Sequence, residues 1–243
     1  MKYKYLIPLL LAVITFLPIR AAKDPDDYHV KIVLADGDTI EGYIRNDLKT
    51  GLKNLFSKTG SIRQYVNFRL DSVNGETKRY NAKEIKEYRF VEPTEGYPEG
   101  KACVSELIHQ PSPFKRSRYV TGLAWELDKR DSGKVLRWDV FESTGGRNSV
   151  VYLVPAIGIR LKGLKAAYLI TANGKFNDFE FRYNLKKKYP EFHKAWLDYY
   201  HKGPDAKAHR KEFSDNPSTA LLFYEDYLLT NPPLHDEEDS SAD

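Results

Sequence analysis

Groups that can move a proton, attack a carbonyl or hold a metal are scattered along this 243-residue chain, and only a few gather. Glu126, Asp128, Asp139 and Glu142 fall on neighbouring expected strands. Two carboxylates roughly 5–10 Å apart are what glycoside hydrolysis needs. Period 2 would put Glu126 and Asp128 on one face, as it would Trp138 and Val140 on the next strand. Glu126 and Asp128 are therefore the catalytic pair of a hydrolase reading, with polysaccharide or peptide as substrate. The plainer reading is the solvated face of an antiparallel sheet. His193, His201 and His209 recur every eight residues, but Gly203-Pro204 breaks any helix that would align them, so no metal site is expected. Asp36, Asp38 and Glu41 are too few for calcium, which takes six to eight oxygens, and turn formation explains Asp36-Gly37. Cys103 is the sole cysteine. It cannot close an intramolecular bridge, and its setting, Lys101-Ala102-Cys103-Val104-Ser105, reads as the start of a strand with a buried thiol. The chain has no nucleophile elbow, phosphate loop, dinucleotide fingerprint or zinc-protease helix. No cofactor is expected.

Aromatic rings offer a second kind of chemistry, because their faces stack on sugars and peptides while their edges stay polar. Trp125, Trp138, Trp196, Tyr224 and Tyr227 all have apolar neighbours, which favours packing. Tyr97 lies in a Pro- and Gly-rich stretch and is the ring expected to be most exposed. Tyr97, Trp125 and Trp138 are the binding candidates.

The elements that must position these groups are mostly short strands. Val30, Ile32 and Leu34 alternate up to the Asp36-Gly37 turn, and Thr39 to Ile44 returns as a hairpin. Ile62, Gln64, Val66, Phe68 and Leu70 have the spacing of one strand face. Thr77 to Tyr80 reads as a strand, Asn81 to Ile85 as a single helical turn, and Lys86 to Val91 as a strand. Residues 93–100 hold two Pro and two Gly, a linker signal. Further strands are expected at 102–109, 119–127, 134–142, 149–154, 159–161, 166–171 and 175–181, joined by Gly-containing turns. The absence of a strand–helix alternation excludes doubly wound and TIM-type folds. From Tyr189 the period becomes helical: Phe192, Trp196 and Tyr199 form one stripe, Asp205 to Phe213 a second helix, and Leu221, Tyr224 and Leu228 a third, capped by Asn216-Pro217. The fold class is mainly β with an α+β character. Its expected parts are a small barrel at 28–92, a linker at 93–100, an antiparallel sheet at 101–183, helices at 184–230 packed on that sheet, and an acidic disordered tail at 231–243.

Residues 28–92, with the hairpin Asp36-Gly37-Asp38-Thr39-Ile40-Glu41-Gly42 and the turn from Tyr80 to Ile85, resemble the SH3-like small barrels, including the Sm-like and PRC-barrel types. That resemblance implies binding of peptides, nucleic acid or partner domains rather than catalysis. The whole layout resembles that of exported Bacteroidota proteins, a resemblance that brings no activity with it.

Residues 1–22 have the order of a cleavable signal peptide: Lys2 and Lys4, an uncharged stretch from Tyr5 to Ile19, then small residues ending at Ala21-Ala22. The stretch is shorter than the roughly 20 residues a membrane span needs, and no cysteine stands after it to carry a lipid. A periplasmic or extracellular location without a stable membrane anchor is expected. Loss of Lys2, Lys4 and Arg20 leaves 35 basic against 34 acidic residues. Nucleic-acid binding needs clustered cations, so the expected partner is a protein or glycan of the cell envelope. The last nine residues carry five carboxylates and no Lys or Arg.

Overall fold

The computed structural model describes residues 27–45, 62–71, 75–110, 118–143 and 151–231, apart from the side chains of 141–143 and 151–153. The expected signal peptide, the 46–61 segment, the expected Thr144-Gly145-Gly146 turn and the expected acidic tail lie outside them. No helix among the described residues is long and apolar enough to cross a membrane.

The chain is mainly β: among the described residues, eleven strands form one antiparallel sheet, with helices toward the C-terminal end. The strands are β1 (Asp27–Leu34), β2 (Thr39–Arg45), β3 (Tyr65–Arg69), β4 (Lys78–Asn81), β5 (Ile85–Phe90), β6 (Cys103–Gln110), β7 (Arg118–Arg130), β8 (Gly133–Ser143), β9 (Val151–Leu161), β10 (Tyr168–Ala172) and β11 (Lys175–Phe176). Their spatial order is β11-β10-β9-β8-β7-β6-β5-β1-β2-β3-β4. Period-2 burial drives the first hairpin: Val30 and Ile32 are fully buried while Lys31 is exposed. Asp36 accepts a hydrogen bond from Asp38 N, and Gly37 supplies the φ of 100° that the turn requires. The expected helical turn is a 3-10 turn at Ala82–Glu84, closed by a reciprocal capping box between Asn81 and Glu84.

The sheet rolls up beyond β5. At its return, Ala167 N donates to Leu107 O and His109 N donates to Ala167 O, each at 2.8 Å, so the approach to β10 meets β6 in parallel. The inner face of this roll carries Ala124, Ala156 and Ala167 with Ile108, Leu136 and Trp138. Small residues are needed there: a Cβ on Gly158 would stand 2.1 Å from Trp138 Cη2, and one on Gly122 the same distance from Ile62 Cγ2. The outer face is covered by α1 (Phe179–Lys188), α2 (Pro190–Leu197) with the π-turn Asp198–Lys202 that continues it, α3 (Ala206–Asp215) and α4 (Thr219–Thr230). Phe181, Phe192, Trp196, Tyr200, Phe213 and Leu221 close this layer against Val135, Ile159 and Ile170.

Three local expectations change. The strands placed at 149–154 and 159–161 are one strand, paired with β8 along its length from Ser143–Val151 to Gly133–Leu161. Pro155 is accommodated because it stands one residue beyond the last β10 pair, Ala156–Ala172. The strand expected at 175–181 stops at Phe176 and helix begins at Phe179. The cause is Asp178, whose buried carboxylate accepts from Trp196 Nε1 at 2.7 Å and Arg182 Nε at 2.9 Å and pairs with His201 Nε2 at 2.8 Å. Finally, the alternation from Ile62 to Leu70 is not one strand. Ile62–Gln64 leaves β3 to pair elsewhere, and Leu70 is 76% exposed.

Candidate functional site

β7 and β8 pair tightly near their shared turn, but their ladder ends at Trp125–Arg137. Beyond it the strands separate, because β7 continues along β6 while β8 continues along β9. The fork exposes backbone groups that need partners. Ile62–Gln64 supplies one: Arg63 O accepts from Leu123 N at 2.8 Å, and Gln64 O holds Ala82 N at 2.7 Å. The segment is thereby fixed on β7, and the Arg63 side chain lines a small pocket between the diverging strands.

The pocket is about 30 Å³ in volume and opens to solvent. Its lining is Arg63, Tyr88, Tyr97, Cys103, Leu123, Trp125, Trp138 and Asp139. All three aromatic binding candidates are therefore at one place. Trp125 faces the first core, edge-on to Tyr88 at 5.5 Å between ring centroids and 5.4 Å from Tyr97. Trp138 comes directly after Arg137, the partner of Trp125, so it points to the opposite sheet face, with its ring over Gly158. Both indoles are almost fully buried. Tyr97 is half-buried rather than free, because it packs on Phe90 at 5.0 Å and Tyr28 at 5.7 Å, while Gly96 O beside it accepts from Arg137 Nη2. The Pro- and Gly-rich stretch is a flap laid on the aromatic cluster.

A chain of polar groups runs through the floor. Arg63, the Tyr88 phenol and the Cys103 thiol lie together in the lining and interact electrostatically. Burial pushes the Cys103 thiol up to about 12, and the Tyr97 phenol likewise to about 12; burial also lifts Tyr88 well above the ordinary phenol range. At neutral pH these groups are uncharged, so they do not neutralise the guanidinium. Among the described residues no carboxylate forms an ion pair with Arg63. Asp139 is the acid sharing the pocket, and its carboxyl is pushed up by burial against the pull of Arg137 and Arg63. A cation, a desolvated acid and aromatic walls in one small pocket have the chemistry to hold a small polar group. Cys103, with so high a pKa, is a poor nucleophile.

Glu126 and Asp128 do not meet. The β7–β8 register shifts between them, leaving Glu126 opposite Leu136 and Asp128 opposite Val135, on opposite faces. Glu126 pairs with Lys134 at 3.2 Å, which also holds buried Glu106 at 3.2 Å. Asp128 accepts from Arg130 Nε at 3.0 Å. The side chain of Glu142 lies outside the described residues. The three histidines are also separated: His201 is held by Asp178, and His209 stacks on Tyr199 with Nδ1 at 2.9 Å from Tyr199 O. No group of three potential metal ligands occurs among the described residues.

Sequence reasoning placed Asp139 among the strand carboxylates but missed Arg63. The one hint in the sequence was Gln64, the polar residue on an otherwise apolar period-2 face of Ile62, Val66, Phe68 and Leu70. No family model matches the chain, and no curated protein or solved structure matches it.

Proposed function

We propose that this chain is an exported protein of the cell envelope that binds a protein or glycan partner without turning it over, and that the pocket at the β7–β8 fork is its contact site. The observation that carries the proposal is the convergence of Tyr97, Trp125 and Trp138 on one opening beside Arg63 and Asp139. Aromatic walls around a desolvated charge are a recognition chemistry. The strand order β5-β1-β2-β3-β4, with a single 3-10 turn before β5, supports the resemblance of residues 28–92 to the SH3-like barrels, which bind partners. The sequence at residues 1–22 supports export, and the layout supports the likeness to exported Bacteroidota proteins. The hydrolase alternative draws less support, since Glu126 and Asp128 sit on opposite faces and each already holds a cation.

The test is retention. Purified envelope polysaccharides and envelope proteins are passed over the immobilised chain and over a Tyr97→Ala, Arg63→Met double variant. The proposal expects a ligand retained by the first and released by the second. Equal retention on both surfaces, or turnover of the retained ligand, contradicts it.

A further inference from the structure

Arg63 is the feature of the pocket that aromatic packing does not explain. A guanidinium carries five N–H donors in a rigid fork. Among the described residues it lies beside the Tyr88 phenol in the pocket wall and forms no ion pair. Withdrawing a charge from water without a counter-ion is costly. The fold keeps this one near Asp139, which feels its charge without forming an ion pair, and with Arg63 O clamped on Leu123 N. A planar fork in the wall of a partly open pocket matches a carboxylate better than any other small group.

Asp139 narrows the choice. It stands in the same pocket and forms no ion pair among the described residues. Beside a bare anion it would repel. Beside an anion that carries an N–H two bonds away it accepts a hydrogen bond, so the two side chains together select a carboxylate with an adjacent N–H. The pocket is small and partly open, so only an end group of a larger ligand would enter it. A uronate has no N–H next to its carboxylate. Tyr97 and Trp125 then flank the rest of the ligand as it leaves through the opening.

Resting on the binding reading above, we propose that the fork pocket captures the C-terminal end of an extended peptide, with the α-carboxylate on Arg63 and the last N–H on Asp139. Terminal carboxylate capture is a known mode of peptide recognition. A free amino acid offers the same chemistry, with its ammonium in place of the amide N–H.

The experiment uses the full purified chain and a tetrapeptide pool randomised at its last two positions, prepared both as free acids and as C-terminal amides. Binding is measured by titration calorimetry, with the matching free amino acids and glucuronate as separate arms. The proposal expects the free-acid pool to bind about tenfold or more tightly than the amide pool, the difference one charge-assisted bidentate contact makes. Arg63→Met should remove the preference and Arg63→Lys restore only part of it, because an ammonium has no fork. Asp139→Asn should weaken the free-acid pool while its melting temperature holds or rises, which separates lost recognition from lost folding. Equal binding of acids and amides, or binding of neither, overturns the proposal. Free amino acids binding as well as the peptides would also overturn it, by showing that the head group alone is the ligand. Glucuronate binding that Arg63→Met abolishes, with peptides inert, overturns this proposal and leaves the binding-protein reading standing.

Discussion

At the scale of single residues, the structure depends on a few places where a side chain has one permitted neighbour. Gly158 is the clearest. Its missing Cβ is the space occupied by the Trp138 ring, and a methyl there would also lie 2.7 Å from Tyr168 O. Gly158→Ala should cost about 1–3 kcal/mol through overpacking, measured by chemical denaturation; a variant as stable as the parent would show that the ring moves aside freely. His109 sets a pH limit. It is buried between Tyr119 and Tyr168, its Nε2 is 3.9 Å from a Glu180 carboxylate oxygen, and burial lowers its pKa despite that carboxylate. A histidine that resists protonation when folded contributes stability above its unfolded pKa of about 6.5, and that stability is lost as pH falls from there toward the folded value. The chain should therefore destabilise as pH falls below about 6.5, by at most about 1.4 kcal/mol per pH unit from this group. His109→Gln should flatten that part of a melting profile, and an unchanged slope would place the acid sensitivity elsewhere. Residue-scale legibility was uneven. That every tryptophan sits among apolar neighbours could be read directly. The role of Arg63 could not, because it arises from a segment leaving its strand to occupy a fork made by two strands far along the chain.

At the scale of elements, local rules predicted what local rules control. The Asp36-Gly37 hairpin, the Asn81–Glu84 capping turn and the 3.6-residue stripes from Phe192 to Leu228 arise from neighbouring residues alone. The misread elements were those decided by distant contacts. Pro155 and Gly158 look like strand breakers, yet they sit inside one long strand because β10 stops short of the first and Trp138 needs the second. The register shift before Asp128 is invisible to a period-2 count, and it turned an apparent catalytic pair into residues on opposite faces. Helix α4 is held to the β7–β8 turn in the same non-local way: Glu225 accepts from Ser132 Oγ at 2.7 Å and from Arg130 Nη1 at 2.9 Å. Ser132→Ala should destabilise by about 1.5–3 kcal/mol, the range for a hydrogen bond to a charged group. Loss of α4 amide protection in hydrogen exchange should accompany it, and unaltered protection would mean that apolar packing alone docks the helix.

At the scale of the whole molecule, the 93–100 stretch does not isolate the first five strands from the rest of the sheet. β5 and β6 share only the pairs Glu87–Val104 and Tyr88–Cys103, but the first core is completed from beyond them by Leu123 and Trp125. Tyr88, Phe90, Tyr97 and Trp125 interlock across that seam at centroid distances of 5.0–6.0 Å. Unfolding should accordingly be a single transition, with tryptophan fluorescence and far-ultraviolet dichroism coincident; two separated transitions would mean that the halves are independent. The pocket lies at this seam, where both halves contribute lining residues.

The central claim is that this seam pocket, through Arg63, is where the protein meets its partner. The most direct measurement is equilibrium binding of an envelope ligand retained by the chain, compared between the parent and Arg63→Met at equal melting temperature. The account predicts that the variant loses about tenfold or more in affinity, as removal of a charged anchor from a desolvated site does. An affinity unchanged within error would contradict it and move the site to another surface.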